Sequence, residues 1–237
     1  MLKEMIEKIV AMAEPNLITM GERDYTDKTV HGIQDPMPHA LSLHTLTGLI
    51  DWLNSDDYKD CMIQILGPRS VDVIGKLEAK WMQRKIYIDC KLLNRDGFRF
   101  GQFMEIEDFI INFQCNFTDS DTKKRIIDYL ANIRDENVTT AEDDGIAQEV
   151  TISNKIGRLE KSKMNPIVKL APFRTFTEIK QPPSLFLLRL RQQKDSMPLV
   201  ALFEADGGAW KNDAILSIAK YLLATEVVRE KGIDVLA

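Results

Sequence analysis

Three short stretches carry the residue types that do chemistry. In "PLVALFEADGGAW", residues 198 to 210, an apolar run stops at Glu204 and Asp206, passes through Gly207 and Gly208, and continues with helical character. Two glycines before a helix leave N–H groups free at its start, and such a place can hold a phosphate. Asp206 stands where that anion would sit and would repel it. A carboxylate there more naturally caps the helix. Neither a GxxxxGK[ST] nor a GxGxxG pattern accompanies the stretch. It reads first as a structural junction: Asp206 as the cap, Trp210 as the ring packing the helix inward, and Gly207 and Gly208 as the candidate anion cradle. Glu204 with Asp206 supplies too few ligands for a metal ion, and no metal site or cofactor is expected.

The second stretch is "SLFLLRLRQQ", where Arg189 and Arg191 share one strand face and Phe186, Leu188 and Leu190 the other. Arg174, in "PFRTF", falls on the preceding strand run. Three arginines gathered on one sheet face would clamp a phosphate or a nucleic-acid backbone. The alternative is that they pair with Glu178, Glu204 or a neighbouring subunit. The third stretch, "AEDDG", sets Glu142, Asp143 and Asp144 before Gly145. It lacks the alternating ligands and distant glutamate of a calcium loop and reads as an acidic turn. His31, His39 and His44 form no His-x-x-x-His pair, and Cys61, Cys90 and Cys115 form no Cys-x-x-Cys pair. No GxSxG marks a nucleophile. Trp52, Trp81 and Trp210 read as core or subunit-contact residues. Only "EAKWMQRK", around Trp81, approaches the composition of a base-stacking platform.

These residues are positioned by a mixed set of elements. Residues 2 to 13 show helical spacing that Pro15 ends. "NLITMG" and "DKTVHGI" read as short strands, and "DPMPHA" holds two prolines that forbid regular structure. Ser42 is the expected cap of a helix carrying Leu43, Leu46, Leu49, Ile50 and Leu53. "CMIQILG", "VDVIGKL" and "KIYIDCKL" follow as strands, and "EIEDFIINFQCNF" and "DTKKRIIDYLANI" as helices, the second capped by Asp119 or Ser120. Residues 138 to 153 return to strand character. "GRLEKSKMNP" reads as a polar connection, and "IVKLAPFRTFTEI", "SLFLLRLRQQ" and "LVALFEA" as strands. The last two should form an antiparallel hairpin across "QKDSMP". A final helix is expected from about 209 to 228. The pattern predicts an α+β fold with a mixed or mainly antiparallel sheet, flanking helices and a C-terminal helix packed on the sheet. The 237 residues suit a single domain, with 155–165 as the place where two subdomains would divide.

The net charge of -5 argues against strong non-specific nucleic-acid binding. No apolar run has the length of a membrane helix, and the first residues lack the form of a signal peptide. Three isolated cysteines imply no disulfide framework, so a reducing cytoplasm is expected. "DDGIAQEVTI", "LAPFRTFTEIKQPPSLFLLRLR" and "ALFEADGGAWKNDAI", with "GFRFGQFMEIEDFI" upstream, resemble the YfdQ-like family of phage and prophage proteins, a domain of unknown function. The resemblance spans roughly residues 87 to 223. It implies a viral or prophage origin and the cytoplasm of a bacterial host; it carries over no catalytic residue. The expected function is that of an accessory protein. It would be a non-enzymatic homo-oligomer that sequesters a host protein, a nucleotide-type ligand or nucleic acid. The rival expectation is a phosphate-handling enzyme, with Arg174, Arg189 and Arg191 on phosphate and Glu204 or Asp206 on a metal.

Overall fold

The computed structural model describes residues 2–20, 23–29, 39–55, 60–79, 82–93, 97–135, 137–143, 148–153, 159–193 and 196–237. Contacts divide the chain into two compact units, Met1–Pro38 and His39–Ala237. The first unit holds helix α1 (Leu2–Ala13) and an antiparallel pair, β1 (Leu17–Met20) and β2 (Arg23–Thr26). Asn16 ties the pair shut by donating its backbone N–H and its side-chain amide to Asp27, at 2.8 and 2.7 Å. The second strand is thus "RDYT" rather than the expected "DKTVHGI", whose last four residues lie outside the described residues. Tyr and Thr give "RDYT" the better strand propensity.

The second unit begins with β3 (Leu41–Leu43), α2 (Leu46–Leu53), β4 (Cys61–Gly67), β5 (Ser70–Gly75) and β6 (Ile86–Lys91). Ser42 lies within β3, so it cannot cap α2. Thr45 does so instead, accepting the Gly48 N–H at 3.1 Å, and Glu178 accepts the Thr47 N–H at 3.1 Å. Two helices follow, α3 (Ile106–Asn116) and α4 (Asp121–Asp135), and Ser120 caps the second by accepting the Lys123 N–H at 3.1 Å. Then come β7 (Asn137–Asp143), β8 (Gln148–Ser153), β9 (Leu159–Met164), β10 (Ile167–Leu170), β11 (Ser184–Gln193) and β12 (Ser196–Glu204). The chain ends with α5 (Trp210–Ala224), α6 (Glu226–Glu230) and β13 (Asp234–Leu236).

The strands form an α+β arrangement of mainly antiparallel sheets. A five-stranded sheet runs in the order β13-β4-β5-β6-β3, antiparallel at its centre and parallel at both edges. The strands β7-β8-β9 and β10-β11-β12 form two antiparallel three-stranded sheets. The polar "LEKSKM" is therefore an edge strand and not a connection, and lysine is common on such edges. The expected hairpin is present, with Phe186 opposite Glu204 and Leu190 opposite Val200. The expected final helix is broken at Thr225, whose backbone is extended and whose hydroxyl donates to the Leu222 carbonyl at 2.6 Å.

Two hydrophobic clusters form within this unit. One joins α3 and α4 to the inner face of β10-β11-β12, with Phe98, Phe109, Phe113, Phe117 and Phe186 at its centre. Their rings meet mostly edge to face, at centroid distances such as 5.3 Å for Phe98 and Phe109. The other packs α2, α5 and α6 on β4, β5 and β6 through Leu46, Leu49, Ile63, Val73, Ile218 and Leu222. A buried lysine closes the end of α3. Lys123 donates to the carbonyls of Gln114 at 3.0 Å and Phe117 at 2.8 Å, where α3 ends, and to Asp119 at 2.9 Å. It supplies the cation that a helix C-terminus favours. Removing it by Lys123→Ala should cost about 1–3 kcal/mol, because the buried Phe117 carbonyl loses its partner. Phe113→Ala should cost about 3–5 kcal/mol. Urea unfolding of both variants beside the parent checks the two values.

Candidate functional site

The acidic-glycine junction is built as its residue types demand. Gly207 and Gly208 hold φ values of +61° and +82°, a left-handed backbone that side chains disfavour. That double turn folds Asp206 back over the start of α5. Its carboxylate accepts the Gly208 N–H at 3.0 Å and the Trp210 N–H at 3.4 Å. The N–H groups that could have cradled an anion are thereby taken by Asp206 itself. Burial pushes the Asp206 carboxyl up. The Ser184 hydroxyl, the two backbone N–H groups and the charge of Arg174 more than offset this, and hold it below its ordinary 3.8.

Trp210 is buried as expected, but in neither hydrophobic cluster. Its ring lies under the guanidinium of Arg174, 4.0 Å from centroid to Cζ. Arg174 is only 9% exposed, and burial draws its pKa down against the pull of Glu204 and Asp206. Nη1 donates to Glu204 at 2.7 Å, and Nη2 donates to the Ser184 hydroxyl. Arg174, Glu204, Ser184, Asp206 and Trp210 thus form one network. Two donors in it, Arg174 Nε and Trp210 Nε1, are buried without a hydrogen-bond partner.

Arg174 is not on a strand. The strand run ends at Leu170, and residues 171–183 cross as an irregular strap containing Pro172, Pro182 and Pro183, which have no N–H for a ladder. Gln181 fixes the strap. Its Oε1 accepts the N–H groups of Arg174 at 3.0 Å and Thr175 at 3.2 Å, and its Nε2 donates to the carbonyls of Thr175 and Phe176. Thr175 reaches the Pro68 carbonyl, at the β4–β5 turn, with a 2.5 Å hydrogen bond.

Beside this network lies a cavity of about 260 Å³, between the β4–β5 turn, the strap, the end of α3 and the start of α5. Its walls are aromatic, from Phe98, Phe100, Phe173 and Trp210. Its polar groups are Arg69, Asn116, Arg174, Thr175, Thr177 and Glu204. Arg69 is exposed and makes no ion pair among the described residues. Sequence reasoning missed Arg69, Gln181 and Ser184, which carry no local motif.

The three arginines do not converge. Arg189 and Arg191 point to the face of β11 opposite Ser184 and Phe186, the residues Arg174 packs against. Arg191 instead lies over the Phe103 ring at 3.7 Å. Asp144 and Gly145 of the acidic turn, and His31 and Trp81, lie outside the described residues. His44 bonds the Lys91 carbonyl at 2.8 Å. Among the described residues no three His, Cys, Asp or Glu side chains gather as a metal site would need. Burial pushes the thiols of Cys61 and Cys90 up to about 11 and 12, far from a reactive thiolate. No helix among the described residues is long and apolar enough to cross a membrane. Against family models, curated proteins and solved structures, the chain finds no match.

A carboxyl whose folded pKa lies below its unfolded value stabilises the fold above the unfolded value. That contribution is lost as pH falls through the folded one. Asp206→Ala should therefore lower stability by about 0.5–2 kcal/mol at neutral pH. The gap from the parent should close in acid, below the ordinary 3.8. Urea denaturation of both proteins at neutral and strongly acidic pH reads this directly. A gap that persists unchanged in acid would show that the charge of Asp206 is not what stabilises the junction.

Proposed function

We propose that the protein is a non-enzymatic, oligomeric binding protein that takes up a nucleotide-type anion in the cavity beside Arg174. On the resemblance of its long motifs, it serves as an accessory protein of phage or prophage origin in the cytoplasm of a bacterial host. The observation that carries the reading is the pairing of aromatic walls with a cation that has no ion pair among the described residues. Arg69 offers a guanidinium to a phosphate or carboxylate, and the aromatic lining of Phe98, Phe100, Phe173 and Trp210 offers apolar contact to a planar group, with one face of the Trp210 ring already held by Arg174. A volume of about 260 Å³ lies just under the usual ligand-pocket range of about 300–1,000 Å³, so it suits a small planar acid or one part of a mononucleotide.

Binding is favoured over catalysis because the acidic groups near the cavity are already engaged. Glu204 holds Arg174, and Asp206 holds the start of α5. Neither histidine nor cysteine lines the cavity among the described residues. Support for self-association comes from α1, whose Leu2, Met5, Ile6, Ile9 and Val10 are exposed.

The test is thermal unfolding with purine and pyrimidine nucleoside monophosphates, with inorganic phosphate as the comparison and with or without Mg²⁺. A ligand at a hundredfold excess over its Kd should stabilise the protein by about 2.7 kcal/mol without Mg²⁺. Arg69→Ala should remove that shift and leave the free protein's melting temperature unchanged, since Arg69 is exposed. Equal shifts for Arg69→Ala and the parent, or no shift at millimolar nucleotide, would refute the reading. Mg²⁺-dependent consumption of the nucleotide would favour the enzyme instead.

A further inference from the structure

The outer face of the β10-β11-β12 sheet is unlike the rest of this acidic chain. Register sets Ile167 beside Leu187 and Leu187 beside Phe203, one apolar row across all three strands. Leu185, next to Lys169, extends it. Ile167 is 55% and Leu185 45% exposed, although both stand on well-paired strands. Every charged residue that the three strands turn to this face is a cation: Lys169, Arg189 and Arg191. Lys169 and Arg191 make no ion pair among the described residues, while the whole chain carries a net charge of -5.

We propose that this face is a docking surface for an acidic, apolar segment of a protein partner. An apolar centre with an arginine-bearing rim is the usual composition of a protein interface. The cations that the three strands carry on this face favour a negatively charged occupant. A second copy docked face to face about a two-fold axis would set these cations against themselves. Single-stranded nucleic acid would need free ring faces on which its bases could stack. Here Arg191 already covers Phe103 at 3.7 Å, and the Phe103 ring meets Phe203 edge to face at 6.0 Å. The exposed remainder of the row is aliphatic, which fits leucine-like or phenylalanine-like side chains better than bases. This surface is separate from the cavity beside Arg174, since it lies on the opposite side of β11 from Ser184 and Phe186.

The experiment is selection of a random-peptide display library on the full chain, followed by affinity measurement of the enriched peptides. The selected peptides should combine acidic with large apolar residues and should bind more weakly as salt rises. Leu185→Ser and Lys169→Glu should each weaken binding at least about tenfold with no change in melting temperature, because both residues are exposed. A tenfold excess of oligothymidylate should not displace the peptide. Enrichment of neutral or basic peptides, no enrichment at all, binding that survives both substitutions, or displacement by oligothymidylate would each overturn the proposal.

Discussion

A guanidinium buried to nine-tenths is the constraint around which the C-terminal half is arranged. Taking a charge out of water costs several kcal/mol unless it is paired and hydrogen-bonded. Arg174 meets that demand from three directions. Glu204 comes from the end of β12, Ser184 from the start of β11 and Trp210 from the first turn of α5. The ends of two strands and the start of a helix must therefore converge at one point. Asp206 adds a second negative charge without touching the arginine, and its grip on the Gly208 and Trp210 N–H groups holds the Trp210 ring in place. The arginine and the helix cap thus depend on each other.

The strap that delivers Arg174 also joins the two hydrophobic clusters. Phe176 and Ile179 belong to the cluster on the five-stranded sheet, while Val168 and Leu170, just before the strap, belong to the aromatic one. A chain crossing between two cores exposes backbone groups that neither core can satisfy. Gln181 resolves this: one amide serves both N–H and carbonyl groups of the same turn. The cavity is a consequence of this crossing. Two packed bodies bridged by an irregular segment leave a gap, and the gap is lined by whatever the strap and the neighbouring turns present.

What the sequence made legible was local. The alternation in "SLFLLRLRQQ" and "LVALFEA" announced the hairpin, because period two over a long run has few other solutions. The junction was legible too, since Asp-Gly-Gly before an amphipathic run has a definite backbone chemistry. The errors share a cause. Ser42 and Thr45 are both good caps, and only the pairing of β3 with β6 decides between them. Placing Arg174 on a strand failed because residues 171–175 look like a strand until Gln181 binds them from beyond the turn. Its partner Glu204 lies 30 residues away, and the Thr175–Pro68 bond spans 107. Periodicity cannot see such distances. The parallel edges β3 and β13 were invisible for the same reason, each being three residues long with a distant partner.

The network also decides which residue near the cavity can do work without harming the fold. Glu204 is 41% exposed on its side chain, so it would regain water if Arg174 were removed, whereas Arg174 would stay buried if Glu204 were removed. Loss of the carboxylate would thus leave a buried charge unpaired, whereas loss of the guanidinium would forfeit its packing on Trp210 and Phe186 and its bond to Ser184. An incoming anion that drew Arg174 away from Glu204 would be opposed by the same desolvation that holds the pair together. Among the described residues Arg69 carries no such obligation. It sits on a turn, exposed, one residue beyond the Pro68 carbonyl that anchors the strap. The fold therefore sets two arginines beside one cavity in different states: Arg174 is buried and committed to the structure, while Arg69 stands exposed at the rim.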